Sequence, residues 1–429
     1  MSADDATAAL RDRLEVDGYL HPDYRGRCIA NLPDTVAEVL GVESARALPH
    51  DVLAPPIEAH EAPIEHVVLV VVDGLGWDRF EELRGRMDPL GAVAERASVT
   101  PLTSTYPSET AAAMISLYTG LQPVEHGQLG WFSLFPEVDT VGLSLPFTTR
   151  TGEPLEAVHG LDREAQFDTD ARATVGERLR AAGVAYTHVA PTSIVDSSTS
   201  RHAAGDAAAV GYDAVAEALE TVATRLEGAD GRTYHLVYYP DVDAAAHRVG
   251  TRAARYDDAV ERAFRAIRRS LLDDLAADVA RRTLVLVVAD HGLVDTDPAT
   301  NLDLTDVAAK AGLDLDVHLR RGADGRRLYP AGSPRNVQLY AAEGRAATLR
   351  DRFADALDAR VYDETTYRDE HLFGDRQPGA RFQLRAPDVV VVPREKGLWY
   401  DDGELDQIGM HGGLHPREML VPLLALRAG

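Results

Sequence analysis

HVVLVVVDGLGWD, His66–Asp78, is the stretch that decides how this chain is read. Val67 to Val72 is apolar at every position, without the alternation of a strand that has one wet face, and it ends in Asp73-Gly74. Such a run marks a parallel strand covered by helices on both faces. In open α/β sheets the carboxyl ends of these strands line the crevice where ligands bind. Asp73 is therefore the first candidate site residue.

Outward from this stretch the same character recurs. Thr283–Ala289, TLVLVVA, ends in Asp290-His291-Gly292, which offers an oxygen and a nitrogen donor at a second strand end. Tyr234–Tyr239, YHLVYY, runs into PDVDAAAHRVG, where Asp243 and His247 stand four apart. On a helix beginning near Asp243 both project from one face, a pairing that suits a divalent metal. Pro387–Pro393, PDVVVVP, reads as a third buried strand and Met419–Leu426 as the last, while IGMHGGLHP, Ile408–Pro416, carries His411 and His415 to a turn. Upstream, TPLTSTYPSE leads into an Ala/Met/Ile/Leu helical pattern after Pro107. That places Thr103, Ser104, Thr105 and Ser108 at a helix start, where free N–H groups and the dipole favour phosphate or sulfate.

Helical patterns over Pro89–Arg96, Ala171–Ala182 and Tyr212–Leu226, with a strand at Ala185–Ala190, complete an alternation of strands and helices. The expected fold is α/β: a doubly wound, mostly parallel central sheet with helices on both faces, plus a small α+β insertion. The expected divisions are an N-terminal helical and loop extension over 1–62, a core over 63–301 and 387–429, and a cap-like insertion over 302–386. The loop TSIVDSSTSRHAAGD, with Arg201 and His202, is a further candidate for touching substrate.

Forty-four basic against 69 acidic residues leave a net charge of −25, which repels nucleic acid and anionic membrane. Lysine occurs only at Lys310 and Lys396, and this acidic, arginine-weighted balance resembles that of haloarchaeal proteins. Cys28 is the single cysteine, so neither an internal disulfide nor a thiolate metal cluster is expected. The acidic start MSADDATAAL lacks the features of a signal peptide, and no apolar run approaches the ~20 residues of a membrane helix, so a cytoplasmic protein without membrane partners is expected.

Together the strand and helix ends supply Asp73, the Ser/Thr cluster, Asp243 with His247, Asp290 with His291, and His411. Two divalent ions with mixed Asp/His ligands need such an inventory, with imidazoles selecting zinc, or alternatively manganese, over magnesium. Paired metals suit in-line displacement at phosphorus, and a hydroxyl at a helix start suits the nucleophile.

VVVDGLGWD, PLTSTYPSETAAAMISLYTGLQPVEHG, PDVDAAAH, VVADHG and GMHGG, in this order, resemble the type I phosphodiesterase/nucleotide pyrophosphatase branch of the alkaline phosphatase superfamily over roughly Val67 to Leu426. The resemblance implies that Asp73, Thr105, Asp290 and His291 hold one metal and that Asp243, His247 and His411 hold the other, with His415 competing with His411. It implies hydrolysis of a phosphodiester or phosphoanhydride, in a small phosphorylated substrate such as a nucleotide, through a phosphothreonine at Thr105. Animal-type members carry an asparagine where Ser108 stands. Ser108 is expected either to donate to the same phosphate oxygen or to cap the helix, which leaves that contact to the metals and the backbone N–H of Tyr106. A phosphomonoesterase, phosphonate hydrolase or phosphosugar mutase on the same metal core, or a catalytically silent metal-binding protein, are the alternatives. A sulfatase is disfavoured because Cys28 lies far from these motifs.

Overall fold

The computed structural model describes residues 3–53, 56–57, 62–400 and 407–429. Part of the proline-rich lead-in before His66 therefore lies outside the described residues. The core is a seven-stranded sheet in the order Ser98–Thr103, Leu420–Arg427, Thr283–Val288, His66–Val72, Thr233–Tyr239, Ala185–Pro191, Ala208–Tyr212. The strand His66–Val72 is buried at every position, as its unbroken apolar run requires, and is flanked by two parallel neighbours. Leu420–Arg427 is antiparallel to both of its neighbours; the remaining pairings are parallel. This is the mostly parallel α/β core expected of the sequence.

That topology gathers the site. Asp290-His291, Asp73 and the helix Asp241–Val249 follow three adjacent parallel strands and so leave the sheet at one edge. Ser98–Thr103 runs the same way and delivers Thr105 there. The antiparallel strand Leu420–Arg427 enters where the others leave, so the segment before it, with His411, arrives at the same edge.

A second seven-stranded sheet differs from the expected insertion. It joins Ala359–Asp363, Val389–Pro393, Asn336–Leu339, Ala331–Ser333, Phe132–Phe135, Thr140–Leu143 and Thr148–Thr149, in that order and with antiparallel pairing. The apolar run Val389–Pro393 is thus a strand of this sheet and not of the core. The second sheet therefore draws Val389–Pro393, and also strands within residues 132–149, from stretches expected in the core. The N-terminal extension packs on the main core through Leu10, Leu20, Ile29 and Val36. Its loop before Ile29 reaches the end of Ser98–Thr103: Thr103 N donates to Arg27 O at 2.7 Å and Asp23 N to Thr103 Oγ1 at 2.9 Å.

Candidate metal centre

Each strand end becomes a ligand carrier through a local device. Asp73 is followed by Gly74 at φ +76, in the left-handed region, where a Cβ would stand 2.8 Å from Leu293 Cδ1 and 3.0 Å from Asp243 Cα. Only glycine allows the two ligand-bearing segments to close so tightly. At Gly292 a Cβ would lie 2.1 Å from Arg417 O, so the turn after His291 is similarly constrained. The helix Asp241–Val249 carries Asp243 and His247 on one face, with Nε2 of His247 3.1 Å from Asp243 Oδ2.

The ligand atoms fall into two adjoining groups, Asp73/Asp290/His291 and Asp243/His291/His411, each with its donor atoms within 4.8 Å of one another. His291 sits at their junction. Its Nε2 is 3.3 Å from Asp73 Oδ1 and 3.4 Å from Asp290 Oδ2, and its ring stacks on His411 at 3.8 Å between centroids. His411 Nε2 is 3.6 Å from Asp243 Oδ1. His247, expected as a ligand beside Asp243, stays next to that group, with its ring 5.2 Å from that of His411. The Asp73 group is closed off, with the His291 and Asp290 side chains 0% exposed, whereas His247 at 22% and His411 at 13% face the open side.

The donor chemistry fits divalent cations. Asp73 Oδ1, Asp243 Oδ1, Asp290 Oδ2 and His411 Nδ1 are buried without a hydrogen-bond partner among the described residues, and a buried carboxylate oxygen left so is costly unless a cation meets it. Burial, with like charge from Asp290 and Asp243, raises the Asp73 carboxyl well above the usual carboxylate range. Burial acts to raise Asp243 as well, yet His247, His411 and His291 hold it below that range. Burial, with His291 beside it, keeps the His411 imidazole far below its usual range, hence neutral and able to ligate. Nδ1 of His247 lies 2.7 Å from Gly409 O and Nδ1 of His291 3.1 Å from Gly292 O, which leaves Nε2 of each as the basic nitrogen. The Cys28 thiol is pushed up to about 12 by burial and is no ligand here.

The hydroxyl run closes the centre on one side. Ser104 Oγ donates to Asp290 O at 2.5 Å, tying the run to a ligand strand, and Thr105, fully buried, donates to Pro107 O at 3.2 Å. Tyr106 and Ser108 are not placed as expected. Tyr106 N donates to the hydroxyl of Tyr24 at 3.0 Å, and its own hydroxyl donates to Asn336 Oδ1 at 2.7 Å. Ser108 Oγ donates to Gly413 O at 2.7 Å. Both groups expected to hold phosphate oxygens are thus committed to bracing neighbouring loops. His415 caps the short helix Pro416–Met419 through its Nδ1, which accepts from Arg417 N at 3.1 Å, and joins neither ligand group. In the 192–206 loop, Ser198–Ala204 is helical and His202 Nε2 lies against Phe167 O.

Sequence reasoning missed Tyr238 and Thr110, whose hydroxyls approach Asp73, and the Arg335–Glu418 pair behind His411. It also found no chemistry in the N-terminal extension, where the Tyr24 hydroxyl accepts from Tyr106 N and braces the loop that carries Thr105. Tyr24→Phe is expected to lower kcat severalfold, up to about 10-fold, with metal content and KM unchanged, because a looser Tyr106 shifts Thr105 relative to the ligands. Steady-state kinetics beside metal analysis check this; an unchanged kcat removes the bracing role.

The chain is thus an α/β protein whose mostly parallel sheet gathers two adjoining Asp/His groups at its carboxyl edge, beside a run of buried hydroxyls. The model of the family "Type I phosphodiesterase / nucleotide pyrophosphatase" matches residues 67–414, and the chain belongs to that family. Among curated proteins none matches this sequence. Of solved structures, an inactive variant of murine ectonucleotide pyrophosphatase/phosphodiesterase 5 in complex with AMP is similar at a TM-score of 0.61 and 15% identity, over 84% of this chain and 87% of that one. Phosphonoacetate hydrolase from Sinorhizobium meliloti, in complex with phosphonoacetate, is similar at 0.56 and 16%, over 83% of this chain and 89% of that one. These likenesses bear on the fold. Among the described residues no helix is long and apolar enough to cross a membrane.

Proposed function

We propose that the chain is a two-metal phosphodiesterase/nucleotide pyrophosphatase that cleaves a phosphodiester or phosphoanhydride through a phosphothreonine at Thr105. The observation that carries this reading is the pair of adjoining Asp/His groups whose buried carboxylate oxygens have no hydrogen-bond partner among the described residues, with the segment that bears Thr105 tied to Asp290 through Ser104. Asp73, Asp290 and His291, with Thr105, would hold one divalent ion, and Asp243, His247 and His411 the other. Zinc is the expected metal, since imidazole nitrogens make up much of the set, with manganese as the alternative. When bound, such ions lower the pKa of a coordinated hydroxyl and stabilise the oxygens of an in-line displacement.

The chain's own residues would then act in two steps. Thr105 loses its hydroxyl proton to solvent and its oxygen bonds to phosphorus as the bond to the leaving-group oxygen breaks, that oxygen taking up a proton from solvent. Water then bonds to phosphorus through its oxygen, the Thr105 oxygen–phosphorus bond breaks, and one of the water protons returns to Thr105. With Ser108 and the Tyr106 N–H engaged elsewhere, the expected phosphate contacts reduce to the metals and the start of the helix Thr110–Thr119. A small phosphorylated substrate is favoured, nucleotides included, by analogy with the AMP-bound relative. The acidic surface supports work in a salt-rich cytoplasm.

Turnover of bis-p-nitrophenyl phosphate against p-nitrophenyl phosphate, with zinc or manganese in high salt, tests the reading. The diester is expected to be the better substrate; preference for the monoester contradicts it. Phosphonate cleavage is the second reading, suggested by the likeness to phosphonoacetate hydrolase, and phosphonoacetate as the preferred substrate would establish it. Asp243→Ala is expected to lose one metal and keep the other, as read by elemental analysis. Unchanged metal content contradicts the assignment.

A further inference from the structure

The Asp73 carboxylate is treated unequally at its two oxygens. Oδ2 receives the Tyr238 hydroxyl at 2.5 Å and the Thr110 hydroxyl at 3.4 Å. Oδ1 has no hydrogen-bond partner among the described residues and lies 3.3 Å from His291 Nε2. Tyr238 comes from the strand Thr233–Tyr239, which pairs with His66–Val72 so that Tyr238 stands opposite Val71, just short of the turn at Asp73. Thr110 opens the helix Thr110–Thr119, and its Oγ1 is also 3.1 Å from His291 Nε2.

Thr110 differs from the other hydroxyls of its run. Thr103, Ser104, Thr105 and Ser108 are 0% exposed, and each directs its hydroxyl to a backbone carbonyl. Thr110 is half-buried and faces a carboxylate and an imidazole. No core-filling requirement puts two hydroxyls on one carboxylate oxygen. Partners that hydrogen-bond a ligating carboxylate orient it and tune its metal.

We infer that Tyr238 and Thr110 are positioning residues that occupy Asp73 Oδ2 and so hold Asp73 to a one-oxygen contact with its metal. This rests on the two-metal reading and deepens it. A carboxylate pinned at one oxygen cannot rotate to grip with both, as larger, oxygen-seeking cations favour, so the pair tightens the site for a compact ion such as zinc.

The test is a zinc titration of metal-stripped full-length protein, with each site's affinity read against a competing chelator and the fold checked by the thermal melt of the metal-free chain. Tyr238→Phe and Thr110→Val are each expected to weaken one of the two sites by about 10-fold or more, leaving the other site and the metal-free melt unchanged. Thr110→Ser, which keeps the hydroxyl, is expected to bind as the wild type does. Folded Tyr238→Phe and Thr110→Val proteins with unaltered affinities at both sites overturn the inference, as does a Thr110→Ser variant as weak as Thr110→Val. A wild-type chain that takes up no zinc or manganese overturns the two-metal reading and this inference with it.

Discussion

Thr105→Ala is expected to lower turnover of a phosphodiester by roughly 10³-fold or more while both metals stay bound. The size follows from the part the hydroxyl plays: without it no covalent intermediate forms, and what remains is direct attack by water in a site shaped for another nucleophile. Thr105 is fully buried and its hydroxyl meets only Pro107 O among the described residues, so its loss opens a space of about two atoms and takes one donor from a single backbone carbonyl. Stability and metal content should therefore hold, which separates a chemical effect from a folding one. Single-turnover assays with Thr105→Ala, Thr105→Ser, Ser104→Ala and Thr103→Ala check this, with Thr105→Ser partly active. Wild-type rates from Thr105→Ala would transfer the nucleophile to a neighbour.

Breaking the pair Arg335–Glu418 is expected to have the largest effect on stability, about 3–5 kcal/mol for Arg335→Met or Glu418→Gln. Both side chains are 0% exposed, and the guanidinium grips the carboxylate at 3.0 and 2.6 Å. Arg335 also donates to Lys396 O at 2.8 Å and Arg394 O at 3.0 Å, and Glu418 accepts from Gly413 N at 3.0 Å and His415 N at 3.2 Å. Removing one partner leaves the other's buried charge without its counter-charge. The pair also bolts the second sheet to the loop that carries His411, so function should suffer in a separable way. Replacing both at once, Arg335→Met with Glu418→Leu, is expected to recover much of the stability. It should not restore metal affinity at the Asp243/His411 group, since Gly413 N and His415 N still lack their acceptor. Urea unfolding together with metal titration reads both quantities, and full recovery of both by the double variant would show that the loop holds its own shape.

The strand ends were legible because burial on both faces forces unbroken apolar runs, and although an aspartate after such a run often serves a turn or cap, several Asp and His residues at such ends converge only at the crevice. Asp73 and Asp290 with His291 came from that logic, Asp243 with His247 from their spacing of four on the helix that follows a strand, and the ordered motifs supplied Thr105 and His411. The same logic misplaced Val389–Pro393. A run covered on both faces carries no record of which sheet it joins, and the pairing that decides it is with Ala359–Asp363 and Asn336–Leu339. What stayed hidden depends on side chains meeting across large separations in sequence. Tyr24 reaches Tyr106 over 82 residues, Tyr238 reaches Asp73 over 165, and Arg335 reaches Glu418 over 83. No local pattern marks those positions, since a tyrosine in a strand and an arginine in a polar stretch are ordinary there. The engagement of the Tyr106 N–H was hidden for the same reason: its acceptor, Tyr24, comes from an extension that carries no motif.

The stereochemistry of hydrolysis at phosphorus tests the central claim most directly. A phosphorothioate diester of defined configuration, turned over by the zinc- or manganese-loaded enzyme in heavy-oxygen water, is expected to give product with retained configuration, because attack by Thr105 and then by water are two in-line displacements. Inversion would mean that water attacks phosphorus directly, and would contradict the phosphothreonine at Thr105.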